Sequence, residues 1–329
     1  IEISRRGRRV FLDYRTDPAD FRFEALNAET REYLTKSAAV ADSPLKRLEL
    51  LNAPAIELYR QHGIDLAAEA LEIAVCAQHN NGGLAANIWW ESENIKGLFP
   101  VGEVNGSHGV TRPGGTALNA GQVGAFRAAE FIAAMRQYEP VCIEDAAWLA
   151  NSQLEVFRKR MLVPAKLNWR EERRKFQTRM SESAAFVRER RMLAKALAET
   201  REQLALLNAD GLGGLDSRAL AETLRNGQLL TAQVLYLETM RKQVGDGVGS
   251  RGSSIVIAER GEYIHPSLPP YWQIEKEDAS FRGKVLTARL NAAGEAEMAW
   301  EPCRGLPVTD GWFENVWRAC REKKIYGEA

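Results

Sequence analysis

The sequence predicts a mixed α/β and α+β chain: a Gly-rich α/β lobe, then a helical bundle, then a small mixed unit. Three observations carry that reading. Between Cys76 and Ala134, apolar stretches alternate with Gly-rich loops at Gly82-Gly83, Gly97 to Gly102 and Gly114-Gly115, the last opening a helix of small residues. From Leu154 onward, apolar residues recur at helical spacing over more than one helix length. From Ser253 the pattern shifts to strands around a hairpin turn at Asn291-Ala-Ala-Gly294. The expected segments are 1–45, 46–140, 150–252 and 253–329.

In order, Arg9 to Tyr14 reads as a short strand behind a basic segment. Phe21 to Leu34 and Ser43 to Gln61 have helical spacing, with Leu45, Leu48, Leu51, Ile56 and Tyr59 able to share a face. Leu84 to Trp90 alternates like a strand, and the apolar run Gly97 to Gly102 reads as a buried strand ending at the carboxylate Glu103. Ala117, Gly121, Gly124 and Ala125 let the helix after Gly115 lie close against a sheet or ligand; Pro140 stops it near Tyr138. Leu154 to Leu207 is helical with a break at Pro164, and Met180, Phe186, Val187, Met192, Leu193, Leu197, Leu204 and Leu207 form its apolar stripe. Its basic clusters, Arg158 to Arg160, Arg170 to Lys175 and Arg188 to Arg191, interleave with acids at i,i+3 and i,i+4, which suits a solvated helix face. Asp216-Ser217 caps a helix over Arg218 to Gln243. Ser254 to Ala258 is strand-like, His265 to Pro270 a linker, and Lys284 to Leu290 with Glu295 to Trp300 a hairpin. Thr309-Asp310 opens a last helix, Gly311 to Lys324, whose Trp312, Phe313, Val316, Trp317 and Cys320 share a side that packs on the body or on a partner polypeptide.

Composition narrows the function classes. Lys+Arg and Asp+Glu are equal at 44 each, so no net field recommends nucleic acid or a membrane surface as partner. Cys76, Cys142, Cys303 and Cys320 lack metal-type spacing and read as reduced thiols of a cytoplasmic protein. No apolar run approaches a membrane span. The chain begins with Ile1, not Met, so an upstream segment is expected. Gly247-Val-Gly-Ser-Arg-Gly252 fits the G-x-G-x-x-G dinucleotide pattern. That pattern holds a pyrophosphate only between a preceding strand and a following helix. Here the flanking elements read helix, then strand, and no dinucleotide site is expected.

Three blocks carry a family resemblance: Ala77-Gln-His-Asn-Asn-Gly-Gly83, Lys96-Gly-Leu-Phe-Pro-Val-Gly-Glu103, and His108-Gly-Val-Thr-Arg-Pro-Gly-Gly-Thr-Ala-Leu118. In this order and spacing they resemble the C-terminal part of the flavin domain in the fumarate reductase/succinate dehydrogenase flavoprotein family, which includes L-aspartate oxidase. The resemblance extends to about residue 252 and implies a partial Rossmann-type flavin-binding lobe whose N-terminal half is absent. It implies FAD as cofactor and hydride transfer between flavin N5 and a small-molecule carboxylate substrate. Carried over residue by residue, Gly83, Glu103, Gly115, Thr116, Ala117 and Leu118 bind the cofactor. Glu103 meets its ribityl or ribose region, and the Thr116 to Leu118 amides meet the pyrimidine edge of the ring, where donors stabilise negative charge.

Arg112 matches the substrate-binding arginine, whose planar fork suits a carboxylate. His108 orients that loop, and Arg251, in a Ser-Arg-Gly following the bundle, lies towards the substrate side. The sequence departs from the family at the substrate-clamping histidine, where Gln78 stands and His79 follows one place later. Either can polarise the substrate, depending on a one-residue shift in alignment. The implied partners are the missing N-terminal half and an electron-transfer partner or a second copy, with no nucleic acid. The competing reading is a non-catalytic interaction or assembly module that retains a flavin-domain remnant.

Overall fold

The computed structural model describes residues 1–76, 82–109, 115–134, 142–252, 254–303, 305 and 309–325. The chain divides into two compact units, Ile1–Cys76 and Ala77–Ala329.

The first unit contains α1 (Glu2–Arg5), β1 (Val10–Leu12), α2 (Ala28–Lys36), α3 (Pro44–Gln61) and β2 (Leu71–Ile73). β1 and β2 pair antiparallel, Val10 opposite Ile73. Asn27 caps α2 by accepting from the Thr30 amide at 2.7 Å, and Ser43 caps α3 by accepting from Lys46 at 3.3 Å, with Pro44 in the first turn. Leu34, Ala39 and Leu66 are its buried apolar residues. The common face expected along α3 does not run its full length. Pro54 lacks an amide proton and crowds the preceding turn, so the helix kinks at Asn52 (φ −159°, ψ 66°) and Leu51 turns out to solvent.

The second unit continues with a 3₁₀ turn over Gly102–Asn105, α4 (Thr116–Ala134), α5 (Ile143–Met161), α6 (Trp169–Ser183), β3 (Val187–Arg188), α7 (Arg190–Ala209) and α8 (Ser217–Gly245). β4 (Ile255–Tyr263), β5 (Gln273–Ile274), β6 (Lys284–Leu290), β7 (Ala296–Pro302) and α9 (Trp312–Arg321) complete it. The stretch expected as helix from Leu154 to Leu207 is three helices with two breaks. Pro164 marks the first. At the second the chain leaves α6 and extends, because Val187 and Arg188 pair parallel with Ile255 and Val256 and Phe186 O accepts from the Ile255 amide at 2.6 Å. Phe186 and Val187 are therefore not part of a helical stripe.

α6, α7 and α8 pack on one another. Leu193, Ala196 and Leu197 of α7 meet Val234, Leu237 and Val244 of α8 and Val256 of β4 in the main apolar core, while Phe176, Leu207 and Leu230 form a second cluster. Between them lies a polar layer. Arg179 donates to Glu199, Thr200, Gln203 and Gln233 at 2.9–3.2 Å, and Gln203 donates onward to the Glu172 carboxylate at 2.7 Å. One arginine of each basic cluster bonds a neighbouring acceptor: Arg160 the Leu207 and Asp210 carbonyls, Arg173 Glu222, Arg190 Glu275.

α8 is capped by Asp216, which accepts from Ala219 at 2.8 Å. The helix-then-strand order around Gly247 to Gly252 holds, since α8 ends at Gly245 and β4 begins at Ile255. β4 lies between β3 and β5, and β6 pairs with β7 from Lys284 opposite Pro302 to Leu290 opposite Ala296. α9 starts differently from expectation. Its N-cap is Gly311 at φ 75°, a left-handed conformation in which Asp or Thr would be strained, and no side chain caps it. All four cysteines are free. Among the described residues no helix is long and apolar enough to cross a membrane.

Candidate functional site

Gly83 of the first block meets the backbone that follows the second block, where a pair of glycines lets two stretches of chain touch. A Cβ on Gly83 would lie 2.2 Å from the Val104 carbonyl oxygen, and one on Gly106 would lie 2.4 Å from the Gly83 nitrogen. No side chain fits at either position. The crossing is closed by Leu84 N–H donating to Val104 O at 2.7 Å and Asn105 Nδ2 donating to Leu84 O at 3.0 Å.

Two expected strands are absent here. Leu84 to Trp90 makes a single bridge, Ala86 to Ser92, and then turns. Asn87 Oδ1 accepts from the Trp89 and Glu91 amides at 2.9 and 3.1 Å, and Trp90 enters the left-handed region at φ 64°. An Asn side chain that satisfies local amides substitutes for a strand ladder. Gly97 to Gly102 likewise has no ladder among the described residues, and Glu103 sits in the 3₁₀ turn with its side chain exposed, not at the end of a buried strand.

α4 is seated directly on this turn. A Cβ on Gly121 would lie 3.5 Å from Gly102 Cα, and one on Gly124 would strike the Trp90 indole at 2.7 Å. The small residues of α4 therefore admit the 3₁₀ turn and an indole; Ala125 is exposed. Trp89, beside it, stacks on Phe131 at 5.3 Å and carries the Arg127 guanidinium at 4.6 Å from its ring centre. The small-residue pattern marks Gly124 as a place of close approach, but local patterns disclose neither that Trp90 fills it nor the role of Gly106. The Trp89-Trp90 pair, standing in a polar stretch, is the signal that points towards them.

Glu103 lies in the turn that α4 approaches, and α4 begins at Thr116 just after Gly115, whose φ is 80°. First-turn amides of an α-helix have no acceptor within the helix and point outward, carrying partial positive charge. His108 is buried at 8% exposure, and neither ring nitrogen has a hydrogen-bond partner among the described residues. Gln78, His79 and Arg112 lie outside the described residues. Arg251 is engaged elsewhere in the unit: Nη1 donates to Phe281 O at 3.3 Å and Nε lies 3.4 Å from Glu277. Glu277 also pairs with Arg282 at 2.7 Å, and that hydrogen bond first, then the charges of Arg282 and Arg251, hold its carboxyl below the usual range. Among the described residues no His, Cys, Asp and Glu group could hold a metal ion.

No protein-family model matches the chain. A fumarate reductase (CoM/CoB) subunit of Methanothermobacter marburgensis is 28% identical over 194 residues, which are 56% of this chain and 34% of that protein. In fold, the chain is similar to FrdA of E. coli quinol fumarate reductase, with TM-score 0.60 and 20% identity over 94% of this chain and 48% of that one. A quinol-fumarate reductase with menaquinol molecules gives TM-score 0.62 and 19% identity over the same shares, 94% and 48%. Sdh1 of Mycobacterium smegmatis gives 0.58 and 15% over 98% of this chain and 55% of that one. The chain thus spans about a third of the curated relative and about half of these solved structures.

Proposed function

The chain is related in sequence and fold to the flavoprotein subunits of fumarate reductase and succinate dehydrogenase, and from that premise we propose that it is the C-terminal half of an FAD-dependent oxidoreductase of that type. The observation that supports the reading is the glycine crossing: Gly83 of the first family-like block lies against Val104 to Gly106, next to Glu103 of the second, and the helix that the third block opens, α4, approaches the same turn through Gly121.

Its donor set fits one end of FAD. First-turn amides suit a polar ring edge, an exposed carboxylate suits hydroxyls, and the glycine crossing keeps side chains away. It does not fit the other end, since the one G-x-G-x-x-G pattern runs from helix to strand and offers no helix N-terminus to a pyrophosphate. FAD held there would supply hydride chemistry. Glu103 accepts hydroxyl hydrogens of the ribityl or ribose region, and the amides of Thr116, Ala117 and Leu118 orient the ring's pyrimidine edge. Arg112 clamps a substrate carboxylate through its planar fork, and Gln78 or His79 polarises the same substrate. His108 positions the loop that bears Arg112. Arg251 can turn towards substrate without stranding Glu277, which keeps Arg282.

The missing half of the flavoprotein is the first partner, followed by an electron-transfer polypeptide or a second copy; the setting is cytoplasmic. The relative from M. marburgensis is itself one of the subunits of its enzyme. α5, which buries none of its residues and exposes Ile143, Trp148 and Leu149, supports a covering polypeptide.

The test joins this chain to a polypeptide carrying a dinucleotide-binding strand and helix, then measures bound flavin and fumarate-type reduction with a viologen donor. Arg112→Ala should lose about 2–5 kcal/mol of transition-state stabilisation while flavin content holds. Turnover within about threefold of the parent would make Arg112 structural. Gain of fumarate turnover in Gln78→His supports Gln78 at the clamp position; an inactive His79→Ala with no such gain supports His79.

A further inference from the structure

α9 is held to the rest of its unit by apolar contact alone: among the described residues no hydrogen bond or ion pair joins it to another element. It is also poorly filled. Between α4 and α9 lies a hollow of about 300 Å³, walled by Trp89 and Phe126 on one side and by Val316, Trp317 and Cys320 on the other. Around it Phe126 is 69% exposed and Trp317 56% exposed, so large aromatic surface stays in water beside an apolar space. Exposed aromatic area next to a preformed apolar hollow is surface that a bound ring would remove from water.

The wall also states what the ligand is not. Its charged residues are Arg127 and Glu130, three apart on α4 and of opposite sign. Arg127 already lies over Trp89, at 4.6 Å from the ring centre. Among the described residues the two charges of the wall cancel. The volume sits at the small end of ligand pockets, which suits a small molecule.

We propose that the hollow between α4 and α9 binds an uncharged aromatic molecule of about two fused rings, with α9 as the strap that closes over it. This does not rest on the flavin reading, because none of the residues assigned to flavin or substrate lines the hollow. The probe is 2-naphthol, whose absorption overlaps tryptophan emission, titrated against the full chain. Saturable one-to-one quenching is expected. Iodoacetamide alkylation of Cys320, read by mass spectrometry, should slow about tenfold at a probe concentration about ten times its Kd, while Cys142 is unaffected.

Val316→Trp fills the hollow from α9, and Phe126→Asp charges its mouth from α4. Each should abolish saturable binding with far-UV circular dichroism unchanged. Quenching that never saturates, saturable binding that survives both variants, or equal protection of Cys142 and Cys320 would overturn the proposal. So would a concentration-dependent dimer that protects Cys320 without probe, since a second copy would then be the occupant.

Discussion

Trp300 donates its indole N–H to the Asp246 carboxylate at 2.6 Å, which ties the β6–β7 hairpin to the last turn of the longest bundle helix. Phe281 packs on the same indole at 4.8 Å between ring centres. Among the described residues no other side-chain hydrogen bond joins the hairpin to this helix end, so the bond helps to position it.

Trp300→Phe keeps the ring packing and removes the donor. It should cost about 1–2 kcal/mol at neutral pH, the range for a hydrogen bond to a charged group at a partly open site. The Trp300 hydrogen bond first, then that from Lys242, hold the Asp246 carboxyl below its ordinary 3.8. A depressed folded-state pKa means the contribution is fully present above the unfolded value and is lost as the pH falls through the folded one. Urea melts of parent and variant should therefore differ near neutrality, begin to converge only as the pH drops below about 4, and coincide once it has passed the depressed folded-state value. A difference that persists in acid would mean the indole acts through packing alone.

Gly83 and Gly115 should fail for opposite reasons. Gly83→Ala drives a Cβ to 2.2 Å from the Val104 oxygen, and backbone that cannot yield should cost about 1–3 kcal/mol or more. Gly115 has open space but φ 80°, so Gly115→Ala carries only the left-handed penalty, about 1–2 kcal/mol. Gly115→Asn should recover part of that loss, and Gly83→Asn none. Equal rescue at both positions would refute the backbone crossing.

Arg179 is the third case. Its side chain is 11% exposed and serves acceptors on α7 and α8 from α6. Arg179→Met removes the donor that Thr200, Gln203 and Gln233 share, and should cost about 3 kcal/mol, the low end for a broken buried pair because Glu199 can still reach water. A double variant, Arg179→Met with Gln203→Leu, should cost less than the two single changes added together, since fewer buried polar atoms are left unpaired.

The sequence was most legible where a local rule acts alone. The Asp216 cap and the Asn291–Gly294 hairpin depend on residues a few positions apart, and both lie where their patterns put them. Long-range partners were not legible. Leu84 to Trp90 alternates like a strand, but alternation says which face is apolar and not whether a neighbouring strand exists; Asn87 supplied the competing turn. Val187 has an apolar side chain in helical spacing, and only Ile255, sixty-eight positions later, decides that it extends. Of the glycine crossing, the sequence named Gly83 within its block but not Gly106, which lies outside all three. The fit of Trp90 against Gly124 could not be read either, because nothing in either local pattern names the other.

His108 gives the last prediction. Its imidazole is buried with both nitrogens unpaired among the described residues, and a buried polar group without a partner costs about 1–3 kcal/mol. Removing the polarity should therefore help the chain by itself: His108→Leu should raise stability by about 1 kcal/mol in urea. A residue that burdens the fold in this way persists where it serves a site, and on the proposed function that site is the loop that bears Arg112. In the enzyme joined to its flavin-binding half, His108→Leu should then lower kcat/KM about tenfold or more, a loss of at least ~1.4 kcal/mol in the transition state, with flavin content unchanged. His108→Gln, which keeps a donor and an acceptor, should restore part of the rate and give back the stability gain. Stability and turnover that fall together in His108→Leu would show that the imidazole is an ordinary part of the core.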